Sequence, residues 1–256
     1  MNEKLVDALL DDLEDPAATV ETLWVFRHWV VAKTLRYAVV SIPEATTSHL
    51  CRGNTDISSW RGRPVREVVK AGMASREVVR RAAAMACLNG SIRRAKSAFE
   101  GNAMGPFSER VARERSCFIG HFSEAALWRE AGHPVTIVEL APQPGDIHWK
   151  DADAALRDAE LVFLTGLTLL NDTFSEVVRR TPNAVTRVLM GPTVPASERF
   201  FSFGIHLVGG TIVEDPDLLL RYFQYGGTSI KRVPAGAISR FNIVEKSQRP
   251  EVPHVA

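Results

Sequence analysis

The sequence predicts an α/β protein in which a small α+β part precedes a Rossmann-like, mostly parallel sheet. Two observations carry this. From residue 115 onward, short apolar, β-branched runs alternate with polar-capped helical stretches, the signature of parallel strands joined by crossover helices and covered on both faces. Before residue 105 the order is instead a helix, then bulky β-rich runs, then further helices. Such a segment needs an antiparallel layer of its own to bury its apolar faces.

Lys4–Leu13 places Leu5, Leu9, Leu10 and Leu13 on one face of an amphipathic helix. Trp24–Ala32 and Arg36–Ile42 read as a hairpin, and Thr46–Asp56 as a loop. Val65–Lys70 and Ser75–Leu88 read as helices; Ser75 is placed to cap the second, whose alanines 82, 83, 84 and 86 permit close packing. Residues 97–110 carry two glycines and a proline without sustained periodicity and read as a linker. The expected division is therefore 1–104 and 105–256. In the second part the expected strands are Ser116–Ile119, Pro134–Leu140, Leu161–Thr165, Arg187–Met190 and His206–Val208, giving a sheet of about five or six strands. The expected helices are Ser123–Glu130, Asp151–Arg157, Asp172–Arg179, Ser197–Phe203 and Asp215–Phe223, the last with Asp215 as N-cap and Pro216 in the first turn. The tail from Ile230 holds one further strand candidate and ends in polar, proline-bearing sequence expected to be mobile.

Composition narrows the function. The chain has 256 residues, 45% of them hydrophobic and 24% charged, an ordinary globular balance able to bury a proper core. A formal net charge of +1 argues against nucleic acid as a partner, because such proteins carry a strongly basic face. The local arginines (Arg61, Arg63, Arg66, Arg76, Arg80, Arg81, Arg93, Arg94) fit solvated helix faces. Cys51, Cys87 and Cys117 form no CxxC pair, which fits a reducing compartment and offers no thiolate cage. The acidic, amphipathic N-terminus is unlike a signal peptide, and no apolar run approaches a membrane span. A cytoplasmic location without membrane contact is the expectation.

The residues that could carry chemistry gather where strands are expected to end. The first β–α turn reads Gly120-His121-Phe122-Ser123. A dinucleotide fingerprint needs three glycines there, and only one is present. Glu139 closes the second strand about 20 residues after Gly120, the spacing of a ribose-binding acid. His121 is placed either to hydrogen-bond neighbouring backbone or to act as acid, base or ligand. The loop after Glu139 brings Asp146 and His148. With His121 and Glu139 they make a ligand set suited to a divalent transition metal, although the spacing matches no closed zinc motif and a turn-forming Asp beside a surface His explains the pair better. Thr165, Gly166, Thr168, Asn171 and Thr173 follow the third strand, and Gly191-Pro192-Thr193 the fourth. Both supply small polar groups at a helix start, where backbone N–H groups are free to meet a ligand. Neither a P-loop, a GxSxG elbow nor HExxH occurs.

These motifs, in this order, resemble the bacterial and archaeal heavy-metal-chelation family. The resemblance rests on Gly120-His121-Phe122, on Glu139 before a loop with Gly145-Asp146, on Thr165-Gly166 through Thr173, and on Met190-Gly191-Pro192-Thr193-Val194-Pro195. It extends to Phe203-Gly204-Ile205, to Gly209-Gly210-Thr211 and upstream to the Trp24–Ile42 hairpin and Ala86–Asn89. It implies an enolase N-terminal-like domain before the Rossmann-like one, with a cleft between them that handles metal ions or metal chelates. The bulk of the hairpin (Trp24, Phe26, Trp29, Tyr37) departs from relatives and implies an altered pocket. The leading expectation is a small polar or metal-chelating ligand in that cleft, met by His121, Glu139, Asn171 and Thr193, with Gly120, Phe122, Gly166 and Pro192 shaping the walls. One alternative is an enzyme using Glu139 on a ribose and His121 as acid/base. Another is a non-catalytic metal-delivery or assembly partner that docks through its arginine-rich first part; a homodimer is compatible with each.

Overall fold

The computed structural model describes residues 3–43 and 56–245. The loop expected over Thr46–Asp56 therefore lies almost wholly outside the described residues, as do Cys51 and the end of the tail. The chain opens with α1 (Glu3–Leu10), whose Leu5, Leu9 and Leu10 are fully buried as its period demands. A three-stranded antiparallel sheet follows: β1 (Thr22–Val25), β2 (Trp29–Lys33) and β3 (Tyr37–Ser41), in that spatial order. The first run of the expected hairpin is thus two strands. Phe26 and Trp29 exchange backbone hydrogen bonds across Arg27-His28, a turn that apolar periodicity cannot reveal.

Then come α2 (Val65–Met73) and α3 (Val78–Ser91). Ser75 does not cap α3: it lies two residues before the N-cap Glu77, whose N–H its hydroxyl accepts, and the helix starts after Glu77. The alanine face of α3 packs on Val30, Ala32 and Val40, while the other face of the small sheet (Trp29, Val31, Val39) packs on a helix from the far end of the chain. Burial on both faces explains the continuous apolar run in β2.

The second sheet has eight strands. These are β4 (Phe99–Glu100), β5 (Ser116–Ile119), β6 (Val135–Glu139), β7 (Ile147–His148), β8 (Leu161–Thr165), β9 (Thr186–Met190), β10 (Leu207–Val213) and β11 (Ile238–Val244). Their order is β4-β11-β10-β9-β8-β5-β6-β7. From β7 to β10 every pairing is parallel, whereas β11 and β4 close one side antiparallel. Strand β11 is the candidate expected in the tail, and the sheet exceeds the expected five or six strands because β4 and β7 are added. Both are two-residue strands defined only by their partners. Strand β4 also gives structure to the presumed linker, which goes on through a 3₁₀ turn (Gly105–Phe107) into α4 (Ser108–Val111).

Helices α5 (Ser123–Glu130), α6 (Asp153–Asp158), α7 (Phe174–Arg180) and α8 (Pro216–Gln224) connect the strands, with a 3₁₀ helix over Glu198–Phe203 where an α-helix was expected. Asp215 caps α8 through the Leu218 N–H at 2.9 Å, with Pro216 next, as expected. One sheet face (Phe118, Ile137, Phe163, Val188) lies under Phe107, Val111 and Ala125. The other (Ile119, Val138, Leu164, Leu189) joins the core that runs through α1 to α3. Helix α8 returns to cover the small sheet, where Phe223 stacks on Trp29 at 5.5 Å between centroids. The bulky hairpin residues Trp24, Phe26, Trp29 and Tyr37 belong to this contact, so their size serves packing rather than a pocket. No helix among the described residues is long and apolar enough to cross a membrane.

Candidate functional site

Numbered from the start of the parallel sheet, the strand order is 3-2-1-4-5-6: β5 sits centrally, β6 and β7 lie to one side, and β8, β9 and β10 to the other. The chain reverses direction of travel across the sheet between β5 and β8. At such a switch point the loops after the two strands turn to opposite faces and leave a crevice at the carboxyl ends. Gly120, Glu139, Thr165 and Gly191 all lie at that edge, since β5, β6, β8 and β9 end at Ile119, Glu139, Thr165 and Met190.

Gly120 shows why the crevice can form. Its φ is +109°, and a Cβ there would sit 2.8 Å from Thr165 Cγ2. Both the backbone angle and the approach of the two strand ends therefore require glycine. Two cavities open from this point, and His121 and Thr165 line both. One, of about 350 Å³, is bounded by Gly120, Glu139, Gln143, Trp149, Thr168, Asn171 and Thr173, with Pro43 reaching over from the end of β3. The other, of about 240 Å³, lies towards β10 and β11 and includes Phe122, Gly191 and Pro192.

In the first cavity Glu139 and His121 are neighbours. The carboxylate of Glu139 accepts the Leu140 N–H at 3.1 Å and the His121 backbone N–H. Burial nevertheless wins: desolvation pushes the Glu139 carboxyl above the usual carboxylate range. The His121 Nδ1 stands 3.5 Å from the carboxylate of Asp146, whose side chain is fully buried. Asp146 is itself held by Arg129 Nη1 at 2.8 Å and by the Gln143 N–H at 3.0 Å. It thus supports His121 from behind and does not line either cavity.

The loop after β8 completes the cavity. Thr165 accepts the Leu167 N–H, and Thr168 donates its hydroxyl back to the Thr165 carbonyl at 2.8 Å. Asn171 Oδ1 takes both the N–H and the hydroxyl of Thr173, an Asx turn that starts α7. Between them Asp172 adopts φ +65°, the one left-handed non-glycine among the described residues. Arg81 of α3 secures it with a salt bridge to Asp172 and a 2.9 Å bond to the Leu170 carbonyl. Sequence reasoning treated Arg81 as part of a solvated face; its partner is distant in sequence, so no local pattern announces the contact.

Three expected site residues have other roles. Thr193 is buried and joins the two sheets: its hydroxyl pairs with Ser41 at 2.9 Å, and its carbonyl accepts from Asn89. Gly166 is buried against Val194 and Thr193, lining neither cavity. His148 Nδ1 accepts the Lys150 N–H and starts a 3₁₀ turn. The four-residue metal set His121, Glu139, Asp146 and His148 is consequently not assembled. Among the described residues no group of three or more His, Cys, Asp or Glu side chains could hold a metal ion. Cys87 and Cys117 are buried, with thiols pushed up to about 12 by desolvation, so neither supplies a thiolate.

Comparison with known proteins follows the same outline. A family profile, DUF364, described as "Putative heavy-metal chelation", matches residues 103–241. A curated relative, an uncharacterised protein of Methanocaldococcus jannaschii, is 38% identical over 76 residues, a stretch covering 29% of each chain. Two crystal structures of DUF364 proteins with unknown function share the fold. The one from Desulfitobacterium hafniense has a TM-score of 0.81 at 17% identity, covering 94% of this chain and 98% of its own. The one from Pyrococcus horikoshii has a TM-score of 0.74 at 13% identity, with the same coverage.

Proposed function

This chain belongs to the DUF364 family, whose description is "Putative heavy-metal chelation", and we propose that it binds a small polar ligand, a metal chelator or its metal complex, in the crevice at the carboxyl ends of β5, β6 and β8. The observation that carries the reading is the pairing of His121 and a desolvated Glu139 on the wall of a cavity at the sheet's switch point. Two such groups can hydrogen-bond a polyfunctional ligand or occupy two positions on a metal that the ligand already surrounds. They fall short of the closed ligand set that a bare ion needs. The metal therefore belongs to the cargo, as a chelate, while Thr168, Asn171 and Thr173 offer hydroxyl and amide groups to the organic part.

The expected outcome is stabilisation by a chelate and little by the free metal. A ligand present at 100 times its Kd adds about 2.7 kcal/mol. Thermal melts with divalent metals, chelators and their mixtures test this. Glu139→Gln and His121→Ala should each weaken the effective ligand about 10- to 100-fold, the loss of one charge-assisted hydrogen bond. Stabilisation by free metal alone, or affinity unchanged in both variants, would overturn the reading.

A second reading is favoured by the buried Asp146 behind His121. A carboxylate at Nδ1 holds the imidazole with Nε2 outward, the arrangement of a general acid or base. On a nucleoside-bearing ligand, Glu139 would take the ribose and His121 the proton. A nucleotide panel in the same melts separates the two readings.

A further inference from the structure

We propose that the second cavity binds an aromatic carboxylate, its ring seated between Met104, Phe122 and Met190 and its acid group met by Arg240 at the rim. This cavity shares His121 and Thr165 with the one beside Glu139, but the proposal stands whether or not a chelate occupies that neighbour.

The register of the last two strands builds the mouth. Thr211 of β10 lies opposite Arg240 of β11, and Val213 opposite Ile238. Side chains two apart on a strand share a face, so Ile238 and Arg240 stand together where both line the opening. Gly209, two residues before Thr211, lets the opposite wall close in: a Cβ there would sit 2.6 Å from Ala103 Cβ. That approach brings the neighbouring Met104 against the space.

The interior suits a ring. Met104 is buried, and Phe122 is held edge-on to Phe118 at 5.9 Å between centroids. With Met190 they give three walls of thioether and aromatic surface, which makes favourable contacts with the faces and edges of aromatic ligands. At about 240 Å³ the cavity is of fragment size, below the ~300 Å³ at which sites for drug-sized molecules begin.

The charges around the cavity choose the substituent. Glu124 is the one acid lining it among the described residues, and Lys231 holds that carboxylate at 2.9 Å. Asp146, behind His121, is paired with Arg129 at 2.8 Å. Arg240 is exposed, and its guanidinium has no ion-pair or hydrogen-bond partner among the described residues. The surplus is therefore positive and sits at the mouth. A planar guanidinium matches a carboxylate through two parallel N–H···O bonds. An acid placed at the rim keeps part of its water and loses little by desolvation, while the ring supplies the apolar burial.

Benzoate and benzamide provide the test, being nearly the same shape with and without the charge. In ligand-observed NMR titrations of the full chain, benzoate should bind about tenfold more tightly than benzamide, a ratio equal to about 1.4 kcal/mol. Arg240→Gln should bring that ratio to about one and leave the fold intact, since the side chain is exposed. Phe122→Ala should weaken both probes by a similar factor, because it removes a wall. Should that variant fail to fold by circular dichroism, Met190→Ala takes its place with the same expectation. Equal binding of the two probes by the wild type would overturn the proposal. So would no binding of benzoate, a preference that survives Arg240→Gln, or a wall variant that binds both probes as before. Failure here leaves the chelate melts untouched, and failure of those melts leaves the benzoate preference standing.

Discussion

The two sheets use the same material to different ends. In the three-stranded sheet the middle strand is buried on both faces, by α3 on one side and α8 on the other, and its contacts are apolar. The eight-stranded sheet is sealed as thoroughly across its faces, yet the ends of β5, β6, β8 and β9 border two cavities and carry the polar side chains. The lesson is that burial on the faces supplies stability, whereas the crevice exists only because parallel strands all finish at one edge.

The comparison can be broken most forcefully in the core. Phe163 stacks on Phe118 at 4.4 Å and is fully buried, and Trp29 fills the contact with α8. Phe163→Ala and Trp29→Ala should each cost about 3–5 kcal/mol in urea denaturation. Because one apolar core joins the small sheet to one face of the large one, both variants should still unfold in a single transition. Separate transitions would show that the sheets stand independently.

At the edge, Gly120→Ala should cost about 1–3 kcal/mol, from the positive φ and the contact with Thr165. Unlike the core changes, it should also reduce ligand affinity out of proportion to stability, since it displaces one wall of the crevice. Melting curves and a titration of the same variant decide this, and normal affinity in a destabilised protein would remove the close approach from the site.

The smallest effect concerns Glu139. Its folded carboxyl holds a proton to higher pH than in the unfolded chain, so the folded state loses stability as pH rises from the ordinary value of 4.5 towards the raised one. Glu139→Gln removes that penalty. The variant should melt higher than wild type at pH 7, and the difference should vanish as pH falls below 4.5. A group that impairs stability yet sits on a cavity wall is a candidate for binding; a variant no more stable at pH 7 would deny it that status.

Much of this was legible in the sequence, and the failures share a cause. The five parallel strands and the Asp215 cap write themselves into local periodicity and into the residues next to a helix start. The positions of Gly120, Glu139 and Thr165 followed, because in a parallel sheet knowing where strands end is knowing where the edge is. Thr193 looked the same as Thr165 along the chain. Only the fold shows that Ser41 and Asn89 claim it. For Asp146 and His148 the plainer reading, a turn-forming Asp and a surface His, is the one the loop follows, with Asp146 held by Arg129 and the Gln143 N–H and His148 accepting from Lys150.

The outermost pairing of the large sheet bears on how the molecule is made. Strand β4 precedes the whole parallel array in the chain, yet it is joined to the array only through β11, near the far end. During synthesis the parallel strands can assemble while β10 still presents an open edge, a site for pairing with other chains. Residues 101–104, which follow β4, line the second cavity beside Asn242 and depend on β11 for their place. A chain truncated before Ile238 would keep every residue around the Glu139 cavity but lose Ile238, Arg240, Phe241 and Asn242 from the second, so the two halves of the crevice depend on different lengths of chain.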